Sequence, residues 1–173
     1  DVKMIYIFDS SDKEKFEWVR WLKHVTNDEI NVRNLIYDEE SRNTILEYLY
    51  KQLTSRESQS NSSDNPSFNT FFVVFVFDSK GISKHPISKY IESCNKYGFI
   101  FVFFEEHKEF LPKGCTEIIR IDTDNSGELL LSENGSDISK FDYIPVPDRT
   151  AEEVALKLGS VYVEEVNLER ELT

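Results

Sequence analysis

One run of twelve residues carries the most complete chemical pattern in the chain. Asp122-Thr123-Asp124-Asn125-Ser126-Gly127-Glu128-Leu129-Leu130-Leu131-Ser132-Glu133 places side-chain oxygens at positions 1, 3 and 5, glycine at 6 and glutamate at 12, the order in which a calcium loop wraps its ion. Asp122, Asp124, Ser126 and Glu133 are therefore the metal-ligand candidates. The flanks point elsewhere. A calcium loop follows a helix, whereas Glu117–Ile121 is β-branched and Leu129–Leu131 reads as a returning strand. A tight hairpin turn at Asn125-Ser126-Gly127 is the competing expectation.

A second group of acids stands at the ends of apolar segments. Phe71–Phe77 runs into Asp78, and Phe99–Phe104 runs into Glu105 and Glu106. Nucleotide hydrolases use such a strand end to deliver a carboxylate to magnesium, and ligands favour the carboxyl ends of parallel strands. That chemistry needs a partner loop of glycine-rich backbone amides, a lysine for the phosphates and a Ser or Thr for the metal. None of the 6 glycines falls in such a pattern. Strand-terminating acids are the plainer reading, and no nucleotide-binding or catalytic residue is assigned. His85 stands before Pro86 as a helix cap, while His24 and His107 have no nucleophile or carboxylate partner in the sequence to form a triad. Trp18 and Trp21, three residues apart, are read as core rather than as a binding platform.

The elements that would position these residues alternate strand and helix. Val2–Phe8 is strand-like, Asp12–His24 is a short aromatic helix, and Asn31–Tyr37 is a second strand. Asp38 caps a helix with an acidic first turn (Glu39, Glu40), a basic end (Lys51, Arg56) and a buried stripe of Ile45, Leu46, Leu49 and Leu53. Residues 57–69 are polar and read as a flexible loop. Phe71–Phe77 and Phe99–Phe104 are apolar at nearly every position, as strands buried on both faces of a parallel sheet are. Residues 86–97 form the crossover helix between them, ended by Gly98. The hairpin around Asn125 is expected at the sheet edge. A capping box of Thr150 and Glu153 opens a last amphipathic helix that packs on the sheet. The fold expected is therefore α/β, three layers, with a mostly parallel sheet flanked by helices. Residues 1–163 form one domain and 164–173 a linker.

Composition narrows the partners. A formal net charge of −12 is the wrong sign for a nucleic-acid groove or an anionic membrane, and suits a basic partner surface or plain solubility. Cys94 and Cys115 are the two cysteines, fewer than a secreted domain of this size usually carries, and are read as free thiols in a reducing compartment. The abrupt strand-like opening reads as a piece of something longer, with any membrane anchor outside it.

Several stretches together resemble the membrane ATPases of type VII secretion, the EssC and EccC proteins of the FtsK/SpoIIIE family. They are Asp1-Val2-Lys3, Phe16-Glu17-Trp18-Val19-Arg20-Trp21-Leu22-Lys23-His24, Asn31-Val32-Arg33, Tyr37-Asp38-Glu39-Glu40-Ser41-Arg42, His85-Pro86-Ile87 and Leu111-Pro112-Lys113-Gly114-Cys115. Lys23 departs from the family, which usually has proline there. The resemblance implies a Rossmann-like, degenerate P-loop ATPase-like domain between the transmembrane region and the ATPase modules of a bacterial protein, on the cytoplasmic side of the membrane. It implies a role in assembly and coupling, without catalysis and without a cofactor. The partners it implies are the adjacent ATPase and transmembrane parts of the same chain and other membrane components of the secretion system, with WXG100-type substrates as further candidates. Two alternatives stay open: a retained nucleotide or magnesium site at the acidic strand ends, and a calcium module at 122–133.

Overall fold

A computed structural model of the chain describes residues 1–131 and 137–161. In chain order these form β1 (Val2–Ile7), α1 (Lys13–Phe16), β2 (Thr26–Asn27), β3 (Val32–Arg33), β4 (Leu35–Ile36), α2 (Glu39–Ser62), β5 (Phe71–Val76), β6 (Phe99–Phe103), β7 (Ile118–Ile121), β8 (Ser126–Leu130), β9 (Ile138–Asp142) and α3 (Asp148–Ser160). Glu133 and the expected linker at 164–173 lie outside the described residues.

The principal sheet has the order β4-β1-β5-β6, every pair parallel. Its central strands are apolar on both sides; one side packs throughout and the other in part. Ile5, Ile7, Phe72, Val74 and Val76 join the α2 stripe of Ile45, Leu46, Leu49 and Leu53 in one core. Tyr6 and Phe8 point the other way, into a cluster with Val19 and Val25 from the turns that follow α1. The α/β layering and the parallel sheet are as the sequence implies.

The second strand divides at Asn34. Val32–Arg33 pairs with Thr26–Asn27 in a small antiparallel ribbon, while Leu35–Ile36 joins β1. Asn34 is the changeover: its N–H donates to the Val25 carbonyl at 2.7 Å, and its carbonyl accepts from Tyr6 N–H at 3.0 Å. One residue thus serves two sheets.

α2 begins as expected. Asp38 and Ser41 form a reciprocal cap, with Ser41 N–H donating to Asp38 Oδ1 at 2.8 Å and Asp38 N–H donating to Ser41 Oγ at 3.1 Å. Its end is a correction: the helix continues to Ser62, so the expected loop at 57–69 starts only at 63, and Lys51 and Arg56 fall inside the helix rather than in its last turn. The polar extension is held by side-chain hydrogen bonds. Tyr90 donates to Glu57 Oε2 at 2.5 Å, Gln59 to Ser55 Oγ at 3.3 Å, and Ser62 Oγ to the Ser58 carbonyl at 2.9 Å. Arg56 ties the helix to the sheet. Buried, it donates to the Tyr97 and Thr70 carbonyls at 2.7 and 2.8 Å and lies over the Phe68, Phe72 and Phe99 rings.

Four further expectations are corrected. The crossover at 86–97 is two 3-10 turns, Pro86–Tyr90 and Cys94–Tyr97, rather than one α-helix. Ile87 and Tyr90, three apart and both buried, suit the three-residue turn, and Gly98 ends the segment at φ 70°. The hairpin is not at the edge of the parallel sheet: β7, β8 and β9 make an antiparallel sheet of their own. At α3 the cap position is Pro147, whose carbonyl accepts from Thr150 and Ala151 N–H at 2.9 and 3.2 Å, which leaves Thr150 inside the helix. α3 also packs mainly on Glu17–Trp21 rather than on the sheet. Ala155 is buried there, and a Cβ on Gly159 would stand 2.6 Å from the Trp21 carbonyl, so only small residues permit the approach.

Candidate functional site

In a parallel sheet of this order the chain leaves β1 in one direction to β4 and then returns past it to β5, so the crevice where ligands usually bind is at the carboxyl ends of β1 and β5. Every strand around that crevice ends on an acid. Beyond β1, Asp9 accepts from Ser11 N–H at 2.9 Å and Ser11 Oγ at 2.7 Å. These bonds, with Lys80 nearby, hold its carboxyl below the ordinary carboxylate range. Beyond β4 is Asp38, held low in the same way by the Ser41 hydroxyl and then the Ser41 N–H. Beyond β5, Asp78 accepts from Lys80 N–H at 3.1 Å. Beyond β6, Glu105 accepts from Ser79 Oγ at 3.0 Å, and Glu106 is exposed past it.

The structure therefore brings Asp78 and Glu105 to neighbouring strand ends, linked through Ser79. It also shows what those acids do. Asp78 closes its own turn on the Lys80 N–H, and Glu105 takes the Ser79 hydroxyl from the neighbouring turn. A rim of carboxylates repels a triphosphate, and the turn after β1 reads Asp9-Ser10-Ser11-Asp12 where a phosphate cradle would need glycine.

The first part of the calcium-like run, residues 122–127, folds as a hairpin turn between β7 and β8. Asn125 takes the left-handed conformation (φ 61°), Asp122 N–H donates to the Ser126 carbonyl at 2.8 Å, and β8 starts at Ser126. Gly127 is inside the strand, where a Cβ would meet the Arg120 carbonyl at 2.5 Å and the Phe141 ring at 2.4 Å. Close packing, rather than a metal-loop bend, explains that glycine. Asp122 pairs with Arg120 at 3.2 Å, and Asp124 accepts from Ser126 N–H at 3.2 Å and from its hydroxyl. Asp122, Asp124 and Ser126 are thus brought to one turn, with Glu133 outside the described residues. Among the described residues no group of three His, Cys, Asp or Glu stands close enough to hold a metal ion.

His85 caps as expected, its Nδ1 accepting from Ile87 N–H at 3.1 Å. Trp18 is half-buried in the second cluster, and Trp21 is exposed beneath Arg20. Cys94 and Cys115 are free. Burial pushes both thiols up; the Phe101 N–H opposes this at Cys94, and Cys94 itself adds to it at Cys115.

Sequence reasoning missed a cleft of about 490 Å³ between α1 and the first turn of α2. Phe8, Phe16, Leu35 and Ile45 line its apolar part, and Lys13, Arg20, Arg33 and Glu40 its charged part. No local motif marks it, because its walls come from three separate stretches, Phe8, 13–20 and 32–45. Beside α2, buried Asn27 donates to Asn34 Oδ1 at 3.2 Å. The Tyr48 phenol is pushed up to about 12, by burial first and then by Glu29.

No protein-family model matches the chain. Among curated proteins, it is similar to the ESX secretion system protein EccC of Geobacillus thermodenitrificans, 30% identical over 132 residues, which are 76% of this chain and 9% of that protein. It is also similar to the type VII secretion system protein EssC of Staphylococcus aureus strain NCTC 8325, 27% identical over 166 residues, 93% of this chain and 11% of that protein, with the same figures for strain COL. The chain spans about a tenth of the length of the curated relatives it matches.

Proposed function

We propose, from the premise that this chain belongs to the EssC and EccC family of type VII secretion proteins, that it is a non-catalytic, ATPase-like module of a secretion ATPase. Its role is to assemble and couple the membrane-anchored and motor parts of the full-length protein on the cytoplasmic side of the membrane. Among the described residues no helix is long and apolar enough to cross a bilayer, so the anchor in this reading comes from elsewhere in the parent chain.

The observation that carries the reading is the acidic rim. The crevice of the parallel sheet holds Asp9, Asp38, Asp78 and Glu105, which take hydrogen bonds from Ser11, Ser41, Lys80 and Ser79. A site that turns over nucleotide needs donors and cations aimed at phosphate. The secretion role comes from the relatives, and the coupling role from the likeness to an ATPase fold stripped of its phosphate loop.

The test is ATP turnover by the full-length protein carrying Asp78→Asn and Glu105→Gln together. Turnover within twofold of the unaltered protein is expected. A fall of tenfold or more would make these carboxylates part of a working magnesium site and remove the non-catalytic reading.

A further inference from the structure

The two faces of the parallel sheet are finished differently. The face beneath α2 is closed. On the opposite face the register Val2↔Phe71, Met4↔Val73 and Val73↔Ile100 puts Val2, Phe71, Ile100 and Phe104 on one side of the sheet, where they are 41, 51, 54 and 45% exposed.

Sheets of parallel strands are buried on both faces, because their crossovers lay helices across each. Here α2 and the turns Pro86–Tyr90 and Cys94–Tyr97, which lead to β5 and β6, lie on the same side. Among the described residues, the opposite side receives the segment from α1 to Val25, which packs on Tyr6, Phe8, Phe75 and Phe77 and leaves β6 and the start of β5 open. α3 joins that segment rather than the gap, and keeps Val154 and Leu158 about half exposed.

We propose that the open β5–β6 face is the seat of an amphipathic helix supplied by the part of the full-length polypeptide outside these 173 residues, with an apolar stripe flanked by Lys or Arg. A helix is the element that closes a parallel sheet. The relatives are roughly ten times longer than their match to this chain, so further polypeptide exists to provide it, and a tethered helix acts at high effective concentration. Charge selects against a second copy: two bodies of formal net charge −12 repel, whereas basic flanks attract. The inference rests on family membership and on the sheet, and it stands whether or not the crevice binds nucleotide.

The test uses purified full-length protein in detergent micelles, with p-benzoylphenylalanine in place of Ile100 in one variant and of Phe104 in another, photolysed and analysed by peptide mass spectrometry. Chains of two isotopic compositions are mixed to separate links within a chain from links between chains. The expected product is a link within one chain from both positions to a single Lys- or Arg-flanked peptide outside the 173 residues. Links between two copies at this face, links confined to the 173 residues, or no link from either position would overturn the proposal. Both side chains are half exposed, so replacement leaves the fold intact, and coincident thermal unfolding of variant and parent checks this.

Discussion

One face of the parallel sheet is sealed by α2, while its opposite face, made of the same strands and the same residue types, is half bare. Phe72 and Phe99 are buried on the first, whereas Phe71 and Ile100, their immediate neighbours in sequence, are half exposed on the second. An all-apolar strand reports that both its faces are meant to be covered. It does not report which polypeptide covers them. That distinction separates the stability of this chain from its use, since the closed face holds the fold and the open face is free to make a contact.

The contrast can be broken most strongly from the closed side. Leu49, fully buried under α2, is expected to cost about 3 kcal/mol on change to alanine, through lost burial plus the cavity left behind, read by urea unfolding of the 173-residue chain. Next is Arg56→Met, expected to cost about 2 kcal/mol because the Tyr97 and Thr70 carbonyls lose a charged donor. Arg56→Lys should restore less than half of this, since a single ammonium cannot reproduce the planar fork. Gly98→Ala is expected to cost about 1 to 2 kcal/mol for its left-handed backbone. Its new Cβ would also meet Arg56 Nη1 at 2.9 Å, so the double change with Arg56→Met should cost less than the sum.

Asp38→Ala removes the α2 cap for about 1 kcal/mol. The folded state lowers this carboxyl's pKa, so its contribution is complete above the ordinary aspartate value and is lost as pH falls through the lowered one. The variant should therefore differ from the parent at neutral pH and converge with it at strongly acid pH. The smallest effect belongs to the open face. Ile100→Asp should change the stability of the 173-residue chain by no more than about 0.5 kcal/mol. A loss near that of Leu49→Ala would mean the face is closed from within this chain, and the contrast would fail.

Much of the closed core was legible in the residues: β1, β5 and β6 as apolar runs, Asp38 as a cap, and the stripe from Ile45 to Leu53. These signals are local. What was not legible depends on partners distant in sequence. The polar turns of α2 beyond Arg56 persist because Tyr90 reaches Glu57. β9 is an unremarkable sequence that becomes a strand because β8 offers it an edge. The acids at the strand ends were visible, but the bonds of Asp78 to the Lys80 N–H and of Glu105 to the Ser79 hydroxyl were not. The calcium-like run matched its template residue by residue, yet Gly127 is explained by Phe141, which stands fourteen positions away in the sequence.

Calorimetric titration of the 173-residue chain with Mg-ATP decides whether the crevice is a capped acidic rim or a nucleotide site. For a capped rim, no saturable heat is expected up to millimolar ligand. Saturable binding that disappears in Asp78→Asn would contradict it.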